Sequence, residues 1–181
     1  KALVEKYGAD NVYIVTSDVT APGRSPFNFD EKQEIMTGIF DIPEDKIVQV
    51  KDPYNPTELL QRFDDTKTAF ATVVGEKERE RIKPGGYYEP YNPDAPTKSF
   101  KDGGYFITAP DVKMDVGGQN VSGTQMRKVL GDKNTPMIER AKIFKKLYGK
   151  FNPNVFKLMA KKLEQAETEE ASMEQQKAGK L

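Results

Sequence analysis

The 181-residue chain contains no histidine, no cysteine and no tryptophan. Without cysteine there is no disulfide, no thiol nucleophile and no thiolate zinc site. Without histidine a Ser-His-Asp relay is excluded, and so are the usual zinc ligands. An excess of one charge is missing too, since 28 Lys and Arg balance 28 Asp and Glu. No global field therefore draws the chain to nucleic acid or to a membrane surface. No apolar run approaches the ~18 residues of a membrane span, and no signal-peptide pattern is visible. These absences lead to the expectation of a cytoplasmic protein with no membrane partner.

Mean hydropathy is −0.71, on the hydrophilic side. The deficit is concentrated in residues 84–104 and in the polar, Glu/Gln-rich stretch from Glu164, which leaves enough apolar residues elsewhere for a core. Two segments are expected: an α/β domain over 1–163, and a tail over 164–181 that is either a frayed helix or disordered.

Lys1 to Gly8 reads as the last turns of a helix ending at a glycine cap, with no N-cap of its own. Asn11–Thr16 is rich in β-branched and aromatic residues and predicts a strand. Asn28 followed by Glu31 has capping-box spacing, so a helix begins there, with Ile35, Met36, Ile39 and Phe40 on one face. Ile47–Val50 predicts a second strand. Asn55-Pro56 opens a second helix that buries Leu59, Leu60 and Phe63. Thr68–Val74 is almost wholly apolar, as a central parallel strand covered on both faces would be. This alternation predicts a doubly wound parallel sheet.

Residues 84–104 break the rhythm. Pro84, Gly85, Gly86, Pro90, Pro93 and Pro96 sit among Tyr87, Tyr88 and Tyr91, which reads as a long loop or lid. Its tyrosines suit either a stacking platform for a base or a loop closing over a site. Tyr105–Thr108 resumes as a strand, and helices are expected from about Thr124, Thr135 and Pro153. Between Glu139 and Lys162 basic residues dominate, yet Ile143, Phe144, Leu147, Val155, Phe156 and Met159 interleave at helical spacing. Two amphipathic helices with solvated basic faces account for this better than a nucleic-acid surface.

The segment Val121-Ser122-Gly123-Thr124-Gln125-Met126-Arg127 carries the most chemistry. Glycine lets a ligand approach the backbone, two hydroxyls flank it, and a helix start offers unpaired N–H groups. An arginine one turn later can fork onto phosphate oxygens. The same residues also suit an ordinary N-capped helix. Two further places lie where strands run into helices, on the ligand-facing side of an α/β sheet. One is Ser17-Asp18 through Arg24-Ser25, with Pro26 and Phe27 expected to pack. The other is Gly75 to Arg81, where Lys77, Arg79 or Arg81 suits phosphate. Gly75 and Lys77 are the site candidates there, against the alternative of a solvated first turn.

Ser122-Gly123-Thr124-x-x-Arg127 resembles the SGTxxR or ISSTxxR signature of the nucleotidylyltransferase superfamily. That family includes adenylyltransferases acting on nicotinamide mononucleotide or phosphopantetheine and, more distantly, cytidylyltransferases. The resemblance extends in layout over most of 1–163 and is specific at 121–130. It implies a Rossmann-like, nucleotidyltransferase-like sheet. It also implies a triphosphate held by Ser122, Gly123, Thr124, the Gln125 and Met126 amides and Arg127, with Gly75 and Lys77 beside the nucleotide. The segment from Ser17 and Asp18 to Arg24 and Ser25 falls on the acceptor side.

The reaction implied joins a nucleoside monophosphate, AMP from ATP or else CMP from CTP, to a phosphate-bearing acceptor, with Mg²⁺ and release of pyrophosphate. The partners implied are a nucleotide and a small phosphorylated acceptor. Nucleic acid is not expected, and a homo-oligomer is left open.

The family's second signature, HxGH, lies after its first strand, and a chain without histidine lacks it. The first, central strand is accordingly expected to be missing. No residue is assigned a catalytic role, no metal ligand is named, and no useful transferase rate is expected. A sheet without its central strand is expected to need an upstream strand, another chain or a rearrangement to cover the gap. The rival reading keeps the fold for binding or assembly and discards the chemistry.

Overall fold

A computed structural model describes residues 1–21, 25–82, 85–110, 114–116 and 119–178. In chain order the elements are α1 (Ala2–Tyr7), β1 (Ile14–Thr16), α2 (Phe29–Phe40), β2 (Ile47–Gln49), α3 (Thr57–Leu60), β3 (Ala71–Gly75) and α4 (Glu76–Arg79). There follow β4 (Tyr88–Pro90), β5 (Gly104–Ala109), β6 (Met114–Val116), β7 (Gln119–Val121), α5 (Gly123–Gly131), α6 (Met137–Tyr148) and α7 (Pro153–Ala178). The fold is mixed α/β, with parallel sheets and C-terminal helices. It divides into two units: residues 1–49 with 113–181, and residues 50–112.

Local sequence signals set the elements of the first unit. α1 ends at Gly8, whose φ of 84° and N–H bond to Val4 O close the helix. This is a left-handed position that suits glycine. Asn11 falls in a short 3₁₀ turn, so β1 starts three residues later than the composition suggests. α2 opens with the expected capping box. The Asn28 side chain accepts from Glu31 N at 2.9 Å, and Glu31 Oε2 accepts from Asn28 N at 3.0 Å. β1 and β2 pair in parallel, Ile14 with Ile47 through Thr16 with Gln49, so β1–α2–β2 forms a parallel crossover unit. Among the described residues β2 is the strand that pairs with β1.

The core of this unit is made mainly by helices. Ile39 of α2, Leu130 of α5, Phe144 of α6 and Val155, Phe156, Met159, Ala160 and Leu163 of α7 form one buried cluster. Apart from Ala160, each such side chain contributes ~1.5–3 kcal/mol of apolar burial. Two glycines allow the helices to approach. A Cβ on Gly131 would meet the Leu163 carbonyl carbon and oxygen at 2.9 Å, and one on Gly38 would meet Val155 Cγ2 at 2.6 Å. The tail is helical: α7 runs unbroken to Ala178, its core contact ends near Ala166, and residues 168–178 are exposed.

In the second unit the three strands run parallel in the order β3-β5-β4. This corrects two expectations. β3 is an outer strand of its sheet, with Val74 buried but Val73 41% exposed. The central place belongs to β5, which pairs on both sides. Residues 84–104 are also not all loop, because β4 aligns Tyr88 to Pro90 with Gly104 to Phe106. Pro90 is tolerated there because β4 is an edge. Phe63 is a third correction. α3 stops at Leu60, and the turn that follows leaves Phe63 36% exposed, while Leu59 is buried.

Candidate functional site

α5 begins just after β7, which pairs antiparallel with β6, and its first turn is organised by Ser122. The Ser122 hydroxyl accepts from Gln125 N at 3.2 Å, and Gln125 Oε1 accepts from Ser122 N at 2.9 Å. Met126 N–H donates to Ser122 O at 2.9 Å. The amides of Gln125 and Met126 are therefore engaged inside the helix. Among the described residues no partner is seen for the first two N–H groups, those of Gly123 and Thr124. Ser122, Gly123, Thr124 and Gln125 are exposed.

Arg127 folds back along the helix toward that start. Its Nη2 donates to Thr124 Oγ1 at 3.1 Å. A Cβ placed on Gly123 would lie 3.6 Å from Arg127 Nη1, an ordinary contact. The guanidinium thus rests beside Gly123, and among the described residues one of its five N–H groups is engaged, on Thr124. Met126 faces the other way, packing against the core cluster and accepting from the Tyr148 hydroxyl at 3.0 Å. Burial pushes the Tyr148 hydroxyl up to about 12, so it stays a neutral donor.

Charge separates this helix start from that of α2. The first turn of α5 has no acid, so no residue of that turn compensates the positive end of its dipole. The start of α2 carries Asp30 and Glu31, and Asp18 Oδ1 accepts from Phe29 N at 2.8 Å. The Asp18 carboxylate, an acceptor-side candidate, is thus engaged as a helix cap. Ser17 O accepts from Lys32 Nζ at 2.6 Å, and Ser25 forms a two-bond bridge with Ala21. Arg24 lies outside the described residues. Phe27, as expected, packs on the core cluster that also receives Met126, so the β1–α2 loop and the start of α5 are anchored on one core.

Gly75 and Lys77 belong to the second unit. Gly75 caps the four-residue α4, and Lys77 is exposed on its first turn. Among the described residues no group of three or more His, Cys, Asp or Glu side chains is placed to hold a metal ion.

Two features carry little sequence signal. Arg140, one of the basic residues assigned to a solvated face, is buried. Its Nη1 donates to Leu130 O at 3.1 Å and to Glu164 Oε2 at 3.3 Å. In the second unit, Tyr54, Arg81, Tyr87 and Tyr88 line one cleft. The Tyr/Gly composition of 84–104 points toward it, but nothing local marks Tyr54.

Compared with protein-family models, curated proteins and solved structures, the chain matches none.

Proposed function

We propose that the chain is a nucleotidylyltransferase-type domain whose triphosphate site is the start of α5. The Rossmann-like, doubly wound character is part of this reading and draws on the parallel β1–α2–β2 crossover. The observation that carries it is the return of Arg127 to Gly123 and Thr124. Two orphan amides, a hydroxyl and a guanidinium with spare donors converge on one exposed point at the positive end of a helix. A phosphate there would accept from all of them.

In the reaction proposed, an oxygen of the acceptor's phosphate attacks the α-phosphorus of ATP, or of CTP. The bond to the bridging α–β oxygen breaks, and pyrophosphate leaves. Arg127, Thr124 and the Gly123 amide would hold the leaving phosphates, whose charge grows as that bond breaks. Mg²⁺ would accompany the triphosphate oxygens, its usual ligands, and no residue of the chain is assigned to it. Without histidine the chain supplies binding and orientation, and no catalytic residue is named.

ATP binding by the wild-type chain and by Arg127→Ala tests the proposal. Loss of a charge-assisted contact should weaken ATP by about tenfold or more, with Arg127→Lys between the two. Absence of ATP binding in both proteins would overturn it.

A second reading keeps the fold for binding or assembly. It draws on α7, whose turns beyond Ala166 are exposed and Glu/Gln-rich. Under that reading Arg127→Ala is silent, and deletion of residues 168–181 removes a partner.

A further inference from the structure

The second unit carries a cleft of about 300 Å³ walled by the rings of Tyr54, Tyr87 and Tyr88 with Ile82. Two of the three hydroxyls are engaged on backbone carbonyls. Tyr88 donates to Tyr54 O at 2.6 Å, and Tyr87 donates to Phe100 O. Those tethers hold the Tyr87 and Tyr88 rings edge to face, 5.0 Å apart at 89°. Gly104 of β5 makes room for them, since a Cβ there would meet Tyr87 Cε1 at 2.6 Å and Tyr88 Cε1 at 2.8 Å. Tyr88 is half-buried, while Tyr87 stays 46% and Tyr54 41% exposed. Rigid aromatic faces left in water are surface ready for a partner.

Among the described residues of this lining Arg81 is the charged one. Its Nη1 donates to the Tyr54 hydroxyl at 3.3 Å, and the side chain is exposed, so the other N–H groups of the guanidinium can serve a ligand. A planar cation beside fixed aromatic faces recognises two things together, a flat ring and an anion. The volume is at the small end of ligand pockets, suited to a mononucleotide-sized compound and too small for a dinucleotide.

We propose that this cleft binds a small planar aromatic ring bearing a phosphate or a carboxylate, the ring against Tyr87 and Tyr88 and the anion on Arg81. The site lies within one unit and does not depend on the reading of α5.

Amide NMR titration of the full chain tests this with four probes: AMP, benzoate, adenosine and ribose 5-phosphate. AMP or benzoate should shift the Thr72, Ile82 and Tyr88 amides saturably, with adenosine and ribose 5-phosphate about tenfold weaker or worse. Arg81→Gln and Tyr87→Leu should each weaken the bound probe about five- to tenfold while the spectrum stays dispersed. Binding of AMP without benzoate supports a nucleotide as occupant, and the converse supports an aromatic acid. No saturable shift of the cleft amides by either probe overturns the proposal, as does binding that both substitutions leave unchanged. Shifts confined to residues 122–127 also overturn it, while leaving the α5 site standing.

Discussion

Arg127 reaches back one turn and donates to the Thr124 hydroxyl at 3.1 Å, with its guanidinium resting beside Gly123. A Cβ at Gly123 would make only an ordinary 3.6 Å contact there, and the backbone is not left-handed. Among the described residues nothing in the packing requires glycine at this position, whereas the phosphate site proposed above would use it.

Gly123→Ala therefore separates folding from binding. Alanine in a helix is favoured over glycine by roughly 0.5–1 kcal/mol, so thermal unfolding should shift upward or stay put. Under the proposed function ATP affinity should fall, because the added methyl would sit where a phosphate would approach the first amides. Unchanged ATP binding in a stabilised Gly123→Ala protein would remove the glycine from the site.

Gly131, eight residues along the same helix, should behave in the opposite way. Its Cβ would meet the Leu163 carbonyl carbon and oxygen at 2.9 Å, and backbone cannot swing aside as a side chain can. Gly131→Ala must push α5 away from α7, an overpacking cost of ~1–3 kcal/mol. A denaturant midpoint equal to wild type would show that the two helices have slack the structure does not suggest.

Features whose cause lies within a few residues were legible in the sequence. The Asn28–Glu31 box, the Gly8 cap and the start of α5 each form from partners three or four positions apart. Features completed by distant chain were not. β4 is a strand because β5 accepts it, and its Pro and Gly neighbours read as loop. β3 looked central because it is apolar, but strand order is a property of pairing and not of composition. At the candidate site, the capping residues were readable, whereas the return of Arg127 to Thr124 and the engagement of Asp18 on Phe29 were not, since side-chain direction is decided by packing.

Arg140 shows the same limit and yields a stability prediction. It lies 24 residues from Glu164 in sequence, yet its buried head bonds Glu164 and the Leu130 carbonyl, and its Nε has no partner among the described residues. Arg140→Met removes both bonds and leaves the Leu130 carbonyl without that donor. The loss should be roughly 2 kcal/mol, below the ~3–5 of a fully buried pair because Glu164 is partly solvated. Glu164→Gln should cost about 1 kcal/mol or less, since an amide oxygen can still accept from the guanidinium. Equal costs for the two variants in denaturant unfolding would contradict this ordering.

Two tyrosines provide the alkaline test. Burial, reinforced for Tyr88 by neighbouring Tyr87 and Asp52, pushes Tyr88 up to about 12, and burial alone does the same for Tyr148. In the unfolded chain both ionise near pH ~10. Between those values the unfolded chain loses protons that the native protein keeps, so stability is intact below pH ~10 and falls as pH rises toward 12. Tyr88 and Tyr148 should therefore appear late in a phenolate absorbance titration of the folded protein, and burial raises Tyr87 as well. Tyr148→Phe should remove one late proton and flatten the alkaline loss of stability, while giving up its weak bond to Met126 Sδ. Tyr88→Phe should do the same at the cost of the tether to Tyr54 O. A titration in which every tyrosine ionises together near pH ~10, with the far-ultraviolet spectrum still native, would show that neither ring is shielded as the structure places it.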